Sequence, residues 1–128
     1  MKNITLAKTA GFCFGVNRAV NLVYELSDKE KVCTLGPIIH NTEMVKELEN
    51  KGVIIADSPA DVQEGYTVVI RSHGVPKSVY DEINSLGLKY SDATCPFVSK
   101  IHRKVEKAGK ENSISGAVSP LKSSITWY

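Results

Sequence analysis

The strongest constraint on this chain is a regular switch in hydrophobic period along it. Short extended runs at Lys31 to Leu35, Val53 to Ala56, Thr67 to Ile70 and Leu88 to Ser91 alternate with stretches of helical periodicity. Asn3 to Ala7 reads as a further strand ahead of them. Val16, Ala19, Val20 and Val23 form one helical stripe that reaches about Leu26. Met44, Val45 and Leu48 form a second, Val79, Ile83 and Leu86 a third, and Phe97, Val98, Ile101 and Val105 a fourth. Asn41 or Thr42 caps the second helix and Gly52 ends it, while Pro76 sits where the third begins. Ser58 to Val62 reads as a short helical turn. Strands alternating with helices imply βαβ units, hence an α/β fold with a mostly parallel open sheet and helices on both faces.

A length of 128 residues suits one domain, and 42% hydrophobic against 23% charged residues excludes a disordered or fibrous chain. With 16 Lys+Arg against 14 Asp+Glu, the charge gives no reason to expect nucleic acid as a partner. The apolar runs fall far short of the ~20 residues of a membrane span. The start lacks the apolar stretch of a secretory signal, so a cytoplasmic location is expected. Cys13, Cys33 and Cys95 are an odd number of widely spaced cysteines without a CxxC, which argues against a disulfide framework or zinc ribbon.

In an open parallel sheet the carboxyl ends of the strands share one edge, and ligands bind in the crevice beyond it. Cys13 is placed there after the first strand, His40 after the second, His73 after the fourth and Cys95 after the fifth. Each also lies at or just before a helix start, where free N–H groups and the positive dipole end attract anions, thiolates included. Two thiols, two imidazoles and several helix N-termini at one edge suit a metal or cluster beside a phosphorylated substrate. Taken singly, a cysteine is more often a buried hydrophobe and a histidine a solvated group; their joint placement favours function. Cys33, inside the second strand, is assigned to packing, and His102, among Lys100, Arg103 and Lys104, to a solvated helix face. Gly11 and Gly15 flank Cys13 and allow close approach of a ligand, but neither loop matches a dinucleotide fingerprint or a P-loop.

At these loops the sequence resembles a known family. Ala10 to Val20 (AGFCFGVNRAV), Gly36 to Asn41 (GPIIHN), Arg71 to Val75 (RSHGV) and Asp92 to Pro96 (DATCP) are similar to 4-hydroxy-3-methylbut-2-enyl diphosphate reductase, over about residues 3 to 107. The resemblance implies that Cys13 and Cys95 are two of three thiolate ligands of a 4Fe–4S cluster and that His40 and His73 bind the substrate diphosphate. It also implies reductive removal of the substrate hydroxyl as water, giving isopentenyl and dimethylallyl diphosphate. The electrons would arrive singly from ferredoxin or flavodoxin.

By the same resemblance, the family fold has three lobes and more than twice this length. Residues 1–96 would be the first lobe, 97–108 the opening helix of a truncated second lobe, and 109–128 a divergent, weakly ordered tail. That tail carries five serines, two glycines and a proline in twenty residues, and is expected to reflect a truncated or frame-shifted reading. The third ligand cysteine and the proton-relay glutamate are expected beyond the chain, so no catalytic residue is assigned within it. Two other readings of the residues stay open. One is a zinc hydrolase with Cys13, His40, His73 and Cys95 as mixed ligands; the other is a non-catalytic anion-binding domain.

Overall fold

The computed structural model describes residues 3–8 and 10–110. In chain order the elements are α1 (Phe14–Ser27), β1 (Val32–Leu35), α2 (Thr42–Asn50), β2 (Ile54–Ala56) and a 3-10 turn (Pro59–Asp61). They are followed by β3 (Thr67–Ile70), α3 (Lys77–Ser85), β4 (Tyr90–Asp92) and α4 (Pro96–Lys110). The strands form one sheet in the order β2-β1-β3-β4. Every pairing is parallel, with Cys33 opposite both Ile54 and Val68, and Val68 opposite Tyr90.

Central strands covered on both sides should be apolar or β-branched throughout, and β1 and β3 are buried at every position. Val32 and Val69 face α1 and α2, where they pack with Ala19, Val20, Val23, Ile38, Ile39 and Leu48. Cys33, Leu35, Val68 and Ile70 face the other way, against Ile83 of α3 and Ala56. Helices therefore cover both faces, as the alternating period requires. Ile83 is fully buried, and replacing such a side chain by alanine typically costs about 2–5 kcal/mol.

Three expectations need correction. Asn3–Ala7 forms no strand: Ile4 and Leu6 are 93% and 84% exposed, and the segment pairs with neither edge of the sheet. Its alternating pattern has no neighbouring strand to satisfy it. The last strand starts at Tyr90 rather than Leu88, because the Leu88 N–H donates to Ile83 at 3.1 Å and closes the end of α3. Leu86 is the C-cap of α3 and lies exposed instead of completing the buried stripe. The last helix forms as expected; α4 buries none of its stripe, and Phe97 and Ile101 are exposed. Of the expected divergent tail, Gly109 and Lys110 complete α4, and 111–128 lie outside the described residues.

Candidate functional site

The strand order creates a switch point. From β1 the chain moves outward to β2, then returns across β1 to reach β3, so the connections after β1 and β3 leave in opposite directions. Loops at such a point part and leave a crevice beyond the strand ends. The β1 loop carries His40 and the β3 loop carries His73, and their rings meet with centroids 5.7 Å apart at an angle of 43°. Asn41 caps α2 by accepting a hydrogen bond from the Met44 N–H at 3.1 Å, which anchors the residue next to His40. His73 shares a hydrogen bond with the buried Ser72 hydroxyl across 3.2 Å. Burial, then Arg71, then His40 hold the His73 imidazole below its usual value of 6.5.

The two thiols lie at neighbouring helix starts. Cys13 is the N-cap of α1 and is exposed, and its carbonyl accepts the first helical bond from Asn17 at 3.0 Å. Cys95 stands just ahead of α4, and its carbonyl accepts from Ser99 at 2.9 Å. A Cβ on Gly15 would lie 2.6 Å from Cys95 Sγ, so the thiol of Cys95 rests on the first turn of the helix that Cys13 caps. The Cys95 N–H donates to the Ser72 carbonyl at 2.8 Å, which joins the thiol loop to the histidine loop.

Several motif residues without an assigned role shape this edge. Asp92 accepts from the Thr94 N–H at 2.8 Å and from the Tyr80 hydroxyl at 2.7 Å. Burial and the Asp92 hydrogen bond push the Tyr80 phenol up to about 12. Arg18 donates to the Thr94 carbonyl at 3.2 Å. The Arg71 guanidinium reaches the β1 loop, 3.1 Å from where a Cβ on Gly36 would stand, and its buried Nε has no hydrogen-bond partner. Only the Asp92–Thr94 bond is local; the contacts of Tyr80, Arg18 and Arg71 link segments too far apart in sequence for a local pattern to reveal.

The structure thus brings Cys13, Cys95, His40 and His73 to one edge of the molecule, with one correction: no strand precedes Cys13. Cys33 is fully buried in β1, and burial raises its thiol pKa, as its assignment to packing requires. His102 does not lie on a solvated face. It is half-buried, with its ring 3.1 Å from where a Cβ on Gly74 would stand, and it lines a groove of about 620 Å³ with Val75, Pro76 and Tyr80. Among the described residues, no three His, Cys, Asp or Glu side chains gather so as to hold a metal ion by themselves. His40 and His73 stand as an imidazole pair, and the described residues do not draw the four side chains into one mixed zinc centre. Among the described residues no helix is long and apolar enough to cross a membrane.

Comparison with known proteins decides the family. The family model described as LytB protein matches residues 4–117. The chain belongs to the LytB protein family. The match runs ten residues beyond 107, where the resemblance in sequence was expected to stop. A relative from Syntrophotalea carbinolica, named 4-hydroxy-3-methylbut-2-enyl diphosphate reductase, is 49% identical over 98 residues, covering 76% of this chain and 35% of the relative. One of the same name from Aquifex aeolicus is 47% identical over 113 residues, covering 87% of this chain and 39% of its own length. The chain therefore spans little more than a third of these LytB relatives. The solved structure of the E-1-hydroxy-2-methyl-but-2-enyl-4-diphosphate reductase from Plasmodium falciparum superposes with a TM-score of 0.76 at 34% identity. That match covers 82% of this chain and 34% of the other.

Proposed function

We propose that residues 1–96 are the first lobe of a cytoplasmic 4-hydroxy-3-methylbut-2-enyl diphosphate reductase, and that residues 97–108, within α4, open a second lobe. His40 and His73 bind the substrate diphosphate, assisted by the N-termini of α2 and α3. Such helix ends present free N–H groups and partial positive charge to an anion. Cys13 and Cys95 are two thiolate ligands of a 4Fe–4S cluster. The donor set suits that group: two soft sulfur ligands share one helix start, and Gly15 leaves the space that one of them occupies. A cluster held by these thiolates would supply one-electron transfer, with electrons received from ferredoxin or flavodoxin. The overall reaction consumes two electrons and two protons, releases the hydroxyl as water, and yields isopentenyl and dimethylallyl diphosphate. This lobe's part is to neutralise the diphosphate and orient the rest of the substrate towards the thiol pair.

The observation that carries this reading is the 5.7 Å histidine pair joined to Cys95 through the Ser72 carbonyl. The exposed Phe97 and Ile101 support further chain packing over α4 in the full family fold. Because Cys13 and Cys95 are the only thiols at this edge among the described residues, the 128 residues alone do not support turnover. Calorimetric titration with inorganic pyrophosphate tests the anion site. Binding is expected, weakened by His40→Gln and by His73→Gln; affinity indifferent to both substitutions would refute the assignment. Anaerobic reconstitution with iron and sulfide should give little cluster absorbance and no substrate reduction. A full iron and sulfide complement with turnover would overturn the insufficiency of two thiolates.

A further inference from the structure

Gly15 and Arg18 lie three residues apart on α1, a spacing that puts both on one side of a helix. Both touch the same short segment, Thr94–Cys95, which is remote in sequence. We propose that they form a two-point clasp that seats Cys95 on the start of α1 and so sets its spacing from Cys13. They are positioning residues, and the idea rests on the reading of Cys13 and Cys95 as joint ligands.

The first point of the clasp is an absence. Gly15 is buried within the helix, so its conformation is one that alanine adopts without strain, and alanine favours helices. A glycine at such a position needs another reason, and the neighbouring contact supplies it. A Cβ there would come within 2.6 Å of Cys95 Sγ and 2.7 Å of Cys95 Cβ. Rotating the thiol away relieves only the first clash; the Cβ is fixed to the backbone, so the whole Cys95 segment must retreat. The second point is attractive. The Arg18 guanidinium donates to the Thr94 carbonyl at 3.2 Å and draws the peptide preceding Cys95 towards α1. From the other side, the Ser72 carbonyl holds the Cys95 N–H at 2.8 Å. Cys95 is thereby fixed between the end of β3 and the helix that Cys13 caps.

The test uses the full 128-residue chain and dibromobimane, a short reagent that fluoresces once it has bridged two thiols. Mass spectrometry locates the bridge. Helix content by circular dichroism and protection of the buried Cys33 report the fold of every variant. The wild-type chain is expected to bridge Cys13 to Cys95. Gly15→Ala should slow bridging by about tenfold, since reaction between held groups falls steeply with small displacements. Arg18→Met should slow it severalfold, and Arg18→Lys, which restores a cationic donor, should recover most of the rate. If Gly15→Ala exposes Cys33, the two Arg18 variants decide the matter. Wild-type bridging rates in folded variants would overturn the clasp and leave the thiol pair standing. A folded wild-type chain that forms no Cys13–Cys95 bridge would overturn the thiol pair itself, and the clasp with it.

Discussion

The backbone N–H of Cys95 donates to the carbonyl of Ser72 at 2.8 Å, one residue away from His73. The Ala93 N–H donates to Ile70 at 3.0 Å in the same direction, so the β3–β4 ladder continues beyond both strand ends and into the site loops. Segments stitched into a sheet open only with the sheet, whereas free loops exchange their amide protons readily. The Cys95 amide should therefore exchange with solvent as slowly as the amides of β3. Exchange at the pace of the exposed Gly11 loop would show that the ladder stops at Asp92.

Asp92 ties Tyr80 of α3 to the Thr94 backbone through two short hydrogen bonds. A bond to a charged acceptor contributes roughly 1.5–3 kcal/mol when shielded, and less at an exposed carboxylate such as this one. Asp92→Ala should cost about 2 kcal/mol in denaturant unfolding, and Tyr80→Phe less. The Tyr80 pKa is raised to about 12, first by burial and then by Asp92. In the unfolded chain the phenol ionises near its ordinary value of 10.0, so its contribution is complete below pH 10 and is lost as pH rises towards 12. Alkaline absorbance titration should find one phenol ionising late, and Tyr80→Phe should remove it.

Some of this could be read from the sequence and some could not, for physical reasons. The limits of β3 were legible to the residue, because Thr67-Val68-Val69-Ile70 is β-branched throughout and buried on both faces. The pairing of His40 with His73 followed from topology, since loops after parallel strands share an edge. Asn3–Ala7 misled because alternation describes only one partner of a strand pair; with no neighbour, Ile4 and Leu6 stay in solvent. His102 misled because a helical wheel places it with lysines and arginine but cannot show that Gly74, lacking a side chain, opens room for its ring. Arg18 and Thr94 are 76 residues apart, beyond the reach of any local period.

Gly74 turns the chain immediately after His73 with φ of +78°. An L side chain in that region costs roughly 1–2 kcal/mol. Here a Cβ would also press on His102 at 3.1 Å and on Thr94 at 3.2 Å. Gly74→Ala should therefore destabilise the fold by about 2 kcal/mol or slightly more, and weaken pyrophosphate binding by displacing His73. A denaturant midpoint equal to that of the wild type would show that the turn tolerates the side chain.

His73 gives the crevice a pH dependence of definite sign. Its ring lies half-buried, and burial, Arg71 and His40 together hold its pKa below 6.5. The unfolded chain therefore takes up a proton first as pH falls through about 6.5. Stability from the neutral ring is complete above that value and declines towards the lower folded value. A bound diphosphate acts in the opposite direction: its negative charge favours the imidazolium and offsets the repulsion from Arg71 and His40. Binding near neutral pH should then draw protons from solvent. Calorimetry with pyrophosphate in buffers of different ionisation enthalpy measures that uptake. It should be larger for the wild type than for His73→Gln, because pyrophosphate's own ionisation is common to both. Equal uptake in the two proteins would mean that His73 stays neutral when the anion is bound, and that its role is confined to donating a hydrogen bond.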